Sequence, residues 1–200
     1  VIPKDNGGLF DVNATRTAHL VPDESFNMTS IAAQKWIMNF CHFVHNQSFA
    51  DKSKNHNPYN STESYPCMFD YYLFMIKNYC SHPKYGEMLT PCCDITSFPI
   101  HPAKLEFCLP ILDGVSYVLK SDHKYKDISG QPVFNSSTNL PTAFWMRVYT
   151  NHGATTGFDE SSAFYNKIQN FTKTVMTTAP PELKLGWFGA FPYFKLFDLQ

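Results

Sequence analysis

Charge is scarce in this sequence. Asp, Glu, Lys and Arg supply 16% of 200 residues and nearly cancel, leaving a formal net charge of −1. Without a basic excess there is nothing to hold a phosphate backbone, so nucleic acid is not an expected partner. Long apolar runs are missing too. Stretches such as Tyr71–Ile76 fall far short of the ~20 residues that cross a bilayer. The first residues lack a charged and then apolar leader, so no signal peptide is expected in them. No Gly-X-Ser-X-Gly elbow, no His-Glu-X-X-His helix and no Cys-X2-Cys knuckle occurs. Those absences argue against a serine hydrolase, a zinc protease and a zinc ribbon. No catalytic residue, cofactor or metal is therefore expected, and the chain reads as a non-enzyme.

What is present is apolar and aromatic. The hydrophobic fraction is 44% and aromatics reach 16%, with 18 Phe, so a buried core is affordable within one domain or two small ones. All six cysteines, Cys41, Cys67, Cys80, Cys92, Cys93 and Cys108, lie in the first 108 residues. Asn-X-Ser/Thr occurs at Asn13, Asn27, Asn46, Asn60, Asn135 and Asn170, never with Pro between. Cysteines and sequons at this density point to disulfides and N-linked glycans on an exterior chain. His42 and His45 share a helix face, but no acidic residue stands at useful spacing. They read as a helix surface whose cations suit the C-terminal dipole.

Cys92 and Cys93 are adjacent, and Cα atoms about 3.8 Å apart fall below the usual span of a disulfide. They must bond elsewhere. Of the 15 or so pairings that six cysteines allow, the reading favours Cys41–Cys67. Cys80 and Cys108 then take Cys92 and Cys93, in an order that stays open.

The chain begins as an extended, turn-rich segment to residue 24, with turn chemistry at Lys4-Asp-Asn-Gly-Gly8. A helix is expected over 30–45, capped by Thr29 or Ser30 with Gln34 as the capping-box partner. Ala33, Trp36, Ile37, Phe40, Cys41 and Val44 lie on its apolar face. Residues 46–64 read as an exposed loop. A second helix is expected over 66–79, buried through Phe69, Tyr72, Leu73 and Ile76 and covered on more than one side. Residues 81–100 read as loop. A third helix spans 102–119, with a kink or early stop at Pro110. Residues 120–141 read as a linker. The last sixty residues form strand, helix and strand: 143–150, a helix to about 178 capped by Asp159 or Ser161, and Leu185–Phe191. His152 and Asp159 share the intervening loop, but no nucleophile accompanies them. Phe188, Phe191, Tyr193 and Phe194 read as core strand plus linker.

Several stretches also resemble a known family. They are Pro3-Lys-Asp-Asn-Gly7, Ala33-Gln-Lys-Trp-Ile-Met-Asn-Phe-Cys41, Pro91-Cys-Cys93 with Phe98-Pro99, Glu106-Phe-Cys-Leu109, Thr178-Ala-Pro180, Gly186-Trp-Phe188 and Phe197-Asp-Leu-Gln200. In this order they are similar to the second large extracellular domain of the Dispatched family, in the resistance-nodulation-division and Patched-related group of transporters.

The resemblance implies an α+β fold, a ferredoxin-like sandwich of the porter-domain type carrying a disulfide-stapled helical insert. Residues 1–200 would be one extracellular domain, with the insert at 25–120 and a βαβ part of the core at 142–200. It implies a loop cut from between two transmembrane helices, on the extracellular side of the plasma membrane. Its partners would be lipid-modified Hedgehog and the first extracellular domain of the same parent chain. The implied function is a contribution to binding and release of cholesterol-modified Hedgehog, with contact to the sterol. The alternative is a lumenal or extracellular sterol-handling domain of another Patched-related protein.

Overall fold

A computed structural model of the chain describes residues 2–4, 19–21, 25–51, 67–122, 130–146, 148–152 and 157–183. Helices and short antiparallel strands are both present, so the fold is α+β. The chain divides into two compact units. One joins 1–26 to 152–200, and the other is the continuous segment Asn27–Asn151. The cysteine-bonded unit therefore runs past residue 120 and takes in the hairpin that follows.

In that unit, α1 (Ile31–His45) starts where Ser30 turns extended and its Oγ accepts from the Ala33 N–H at 3.1 Å. Of the two expected caps, Ser30 is the one used. Gln34 does not complete a capping box. Ala33, Gln34, Ile37, Cys41, Val44 and His45 are the helix's buried residues. Trp36 and Phe40 stack at 5.0 Å on a half-buried flank.

Helix α2 (Met68–Tyr79) buries Met68, Phe69, Tyr71, Tyr72, Met75 and Ile76, so it is covered on more than one face, as its all-round apolar pattern requires. The expected loop that follows contains a one-turn helix α3 (Gly86–Leu89) and a 3-10 turn (Thr90–Cys92). Four residues are too few to show a helical period, which is why the pattern did not reveal them.

Helix α4 (Pro102–Asp122) passes through Pro110 without stopping. Leu105, Cys108, Leu109, Leu112, Val115 and Leu119 all have zero exposure, so packing on both sides of Pro110 outweighs its missing hydrogen bond.

The expected linker holds a strand. β1 (Gln131–Phe134) pairs antiparallel with β2 (Pro141–Trp145), with Val133 opposite Ala143. The strand predicted over 143–150 thus sits earlier and ends at Trp145. Asn139 takes a left-handed φ of 57° in the turn, a conformation Asn tolerates. Gly130, at φ 105°, lies so close to the Phe144 ring that a Cβ would stand 2.7 Å from it. Residues 46–51, the start of the expected exposed loop, are tied down instead. Phe49 and Ala50 are buried, Ala50 bridges Thr150, and the Asp51 N–H donates to the Tyr149 carbonyl at 2.8 Å.

In the other unit, Ile2–Lys4 pairs antiparallel with His19–Val21. Helix α5 (Phe158–Met176) is capped by Gly157, not by Asp159 or Ser161. Asp159 and Glu160 lie in its first turn, where a carboxylate suits the positive end of the dipole. Ile168 is its most deeply buried described residue at 1% exposure, while Phe164, Phe171 and Val175 of the same stripe are half-buried. The expected strand Leu185–Phe191, the aromatics Phe188, Phe191, Tyr193 and Phe194, and the turn Asp5–Gly8 lie outside the described residues.

Candidate functional site

The chemistry-bearing residues gather where α1, α2, the 81–100 connection and α4 meet. Three disulfides hold this region: Cys41–Cys67, Cys80–Cys93 and Cys92–Cys108, with Cα separations of 5.3, 5.8 and 5.8 Å. The order left open at Cys92 and Cys93 is thereby decided. Cys41 lies on the buried face of α1 and Cys67 is the residue before α2, so the first bridge pins the start of α2 to α1. Cys80 closes α2 and Cys93 closes the 3-10 turn. Cys92, one residue back, reaches α4 at Cys108. Gly86 lies against the Cys80 carbonyl, where a Cβ would stand 2.5 Å from the oxygen, so only glycine lets the connection fold back this tightly. Lys104 Nζ ties the same turn to α4 through the Pro91 carbonyl at 2.8 Å and Asp94 Oδ1 at 2.7 Å.

Gln34 is the residue whose role sequence reasoning misassigned. Its side chain is fully buried. Nε2 donates to the Thr29 and Ile100 carbonyls, each at 2.7 Å, and Oε1 accepts from the Ile100 N–H at 2.8 Å. A primary amide carries a donor and an acceptor on separate atoms, so it can both donate to and accept from a single backbone residue. The clamp fixes the segment after Phe98 and Pro99 to α1, and the Phe98 ring lies 5.5 Å from Phe69 of α2.

His42 and His45 are not equivalent surface residues. His42 is half-exposed, and its Nε2 lies 3.0 Å from Asp70 Oδ2 on α2. The acidic partner missing from the local sequence comes from the next helix. His45 is buried, four residues after Cys41 on the same face. Burial pushes the Asp70 carboxyl above its ordinary range, although His42 and the Cys67 backbone pull the other way. Burial also holds the Tyr72 phenol well above its usual value, and Asp113 adds to the effect through a contact at 3.4 Å. Among the described residues, no three His, Cys, Asp or Glu side chains come together as a metal site. None of the described helices is long and apolar enough to cross a membrane.

Four of the six sequon asparagines are described. Asn27 is exposed before α1, and its Oδ1 accepts from the Thr29 N–H and hydroxyl at 2.9 and 2.8 Å. Asn46 is exposed at the C-terminal cap of α1 and donates to the His42 carbonyl at 3.0 Å. Asn135 is half-buried and opens the β1–β2 turn, where its Oδ1 accepts from Ser137 N–H at 2.8 Å and Thr138 N–H at 3.3 Å. Asn170 lies on an exposed position of α5, the side on which a helical sequon must stand to carry a sugar. Asn13 and Asn60 lie outside the described residues.

An apolar row remains on the outside of α4. Phe107 and Tyr117 are exposed by 59% and 72%, with half-buried Pro110 and Ile111 and exposed Gly114 between them. In the other unit His152 stacks on Phe164 at 4.4 Å and lies 3.5 Å from Ser161 Oγ. Ring stacking and this long contact make a helix-start brace.

No family model matches the chain. It is similar to Protein dispatched homolog 1 of Homo sapiens, 26% identical over 202 residues, covering 100% of this chain and 12% of that protein. It is 27% identical over 201 residues to Protein dispatched of Drosophila melanogaster, covering 88% of this chain and 16% of that one. Protein dispatched homolog 2 of Homo sapiens is 24% identical over 201 residues, covering 100% and 13%. The chain thus spans 12% to 16% of the length of these relatives.

Proposed function

We propose, from its similarity to Dispatched proteins, that the chain is an extracellular, non-enzymatic domain of a Dispatched-like membrane transporter. Its work is to contribute to the binding and release of cholesterol-modified Hedgehog, together with the first extracellular domain of the same parent chain. It takes no cofactor or metal, and it carries N-linked glycans at its exposed sequons. Flanking transmembrane helices hold it at the outer face of the plasma membrane. Its core is a ferredoxin-like sandwich of the porter-domain type, with the stapled helices as the insert.

The observation that carries this reading is the similarity along essentially the whole chain. The three disulfides support it, because such bonds persist in oxidising, exterior compartments. The scarcity of charge and the lack of a catalytic motif fit a role in contact and not in chemistry.

Capture of cholesterol-modified Hedgehog by the longer protein tests the reading, with sterol-free Hedgehog as control. Deleting this region should abolish capture while surface delivery persists. Undiminished capture without the region would overturn it. Photolabelling of the isolated chain by a sterol probe, with no response to Hedgehog, would point instead to a sterol-handling domain of another Patched-related protein.

A further inference from the structure

The three disulfides differ in what can reach them. Cys41, Cys67, Cys92 and Cys108 have zero exposure, whereas Cys80 and Cys93 are both half-buried. Thiol–disulfide exchange needs a thiolate to approach a sulfur directly, so access selects which bridge reacts. We propose that Cys80–Cys93 is a thiol-exchange site, opened by a dithiol reductant to release the segment between α2 and the 3-10 turn. The proposal is independent of the ligand proposed above.

The chemistry balances with a dithiol alone. A reductant thiolate attacks the Cys80 sulfur and a mixed disulfide forms. The Cys80–Cys93 bond breaks, and Cys93 leaves as a thiolate that takes a proton from water. The second reductant thiol, deprotonated, then attacks the reductant's own sulfur in the mixed disulfide. Cys80 leaves as a thiolate and is protonated. The reductant is oxidised to its disulfide by two electrons, and the two cysteines are reduced. The Leu89 carbonyl lies 3.1 Å from Cys93 Sγ, so the new thiol has an acceptor already in place.

Two features confine the opening. Leu89 is buried at 0% exposure, and Cys92–Cys108 still ties the turn to α4, so α2 and α4 keep their packing. Nor does the Cys93 thiolate close a bridge with Cys92. Adjacent residues stand about 3.8 Å apart at Cα, too close for an ordinary bridge. What is freed is the exposed part of the segment, including Lys84 and Met88.

Graded dithiothreitol on the purified full chain is the test. Thiols are trapped with one alkylating label, the remaining bridges with a second after complete reduction, and the peptides weighed. Cys80 and Cys93 should take the first label about tenfold or more faster than the other four. In the same samples trypsin should begin to cut after Lys84 while helical ellipticity holds. All three bridges opening together, or either of the others opening first, overturns the proposal. A Cys80→Ser/Cys93→Ser double variant supplies the second reading. It should fold and be cut after Lys84 without reductant. A variant that fails to fold, or that resists trypsin as the native chain does, overturns the local opening.

Discussion

The two units solve the same problem by different means. Asn27–Asn151 contains every disulfide, and its described residues include a run of side chains with no exposure at all, from Met28 to Leu119. The unit of 1–26 and 152–200 has no cysteine, and along α5 the described residues bury one side chain fully and half-bury its neighbours. In the first, covalent links restrict the unfolded chain and packing then fixes one arrangement. In the second, an amphipathic helix depends on its stripe and its ends. Stability in the stapled unit should therefore respond to redox conditions, and stability around α5 should not.

The largest effect should come from full reduction under mild denaturant. Each bridge stabilises by about 2–4 kcal/mol, so the helices of the stapled unit should melt first. Loss of protease resistance in α5 at the same reductant concentration would break the contrast between the units. Leu112→Ala should cost about 2–5 kcal/mol in a urea melt, because Leu112 is fully buried and a cavity would remain. Gln34→Ala should cost about 1–3 kcal/mol, since it strands the buried Ile100 N–H. Faster exchange of that amide would identify the cause.

A smaller effect depends on pH. Asp70 has a raised carboxyl pKa in the folded chain, so the fold favours its protonated form. Its contribution is therefore full below the ordinary carboxylate value and is lost as pH rises through the raised folded value. Asp70→Asn should gain on the native chain as pH is raised from about 3 to 7, read from urea midpoints. A constant difference across that range would show that burial does not govern this carboxyl. The smallest change should be Phe107→Ser, within about 0.5 kcal/mol, because the side chain is more than half exposed. A loss of several times that would mean the outer row of α4 is covered.

Much of this was legible beforehand. Residues recurring every three or four positions give α1, α2, α4 and α5 away, because one face of each must be apolar to pack. The adjacency of Cys92 and Cys93 forbids their bonding to each other on distance alone. The small elements were hidden for the opposite reason. The one-turn helix at Gly86 and the strand at Gln131 are too short to carry a period. Ala50 is held by Thr150, a hundred residues away, which no local pattern reports.

The amino-acid order by itself settled where the long helices lie, that they bury one or more faces, and that the cysteines belong to one continuous region. Periodicity and chain geometry are local, and a sequence displays them directly. Which sulfur of the adjacent pair faces α2 and which faces α4, that Gln34 clasps Ile100, and that Asp70 meets His42 were decided only by the packed chain. Each depends on a distance between residues far apart in order, and such distances exist only once the core has closed.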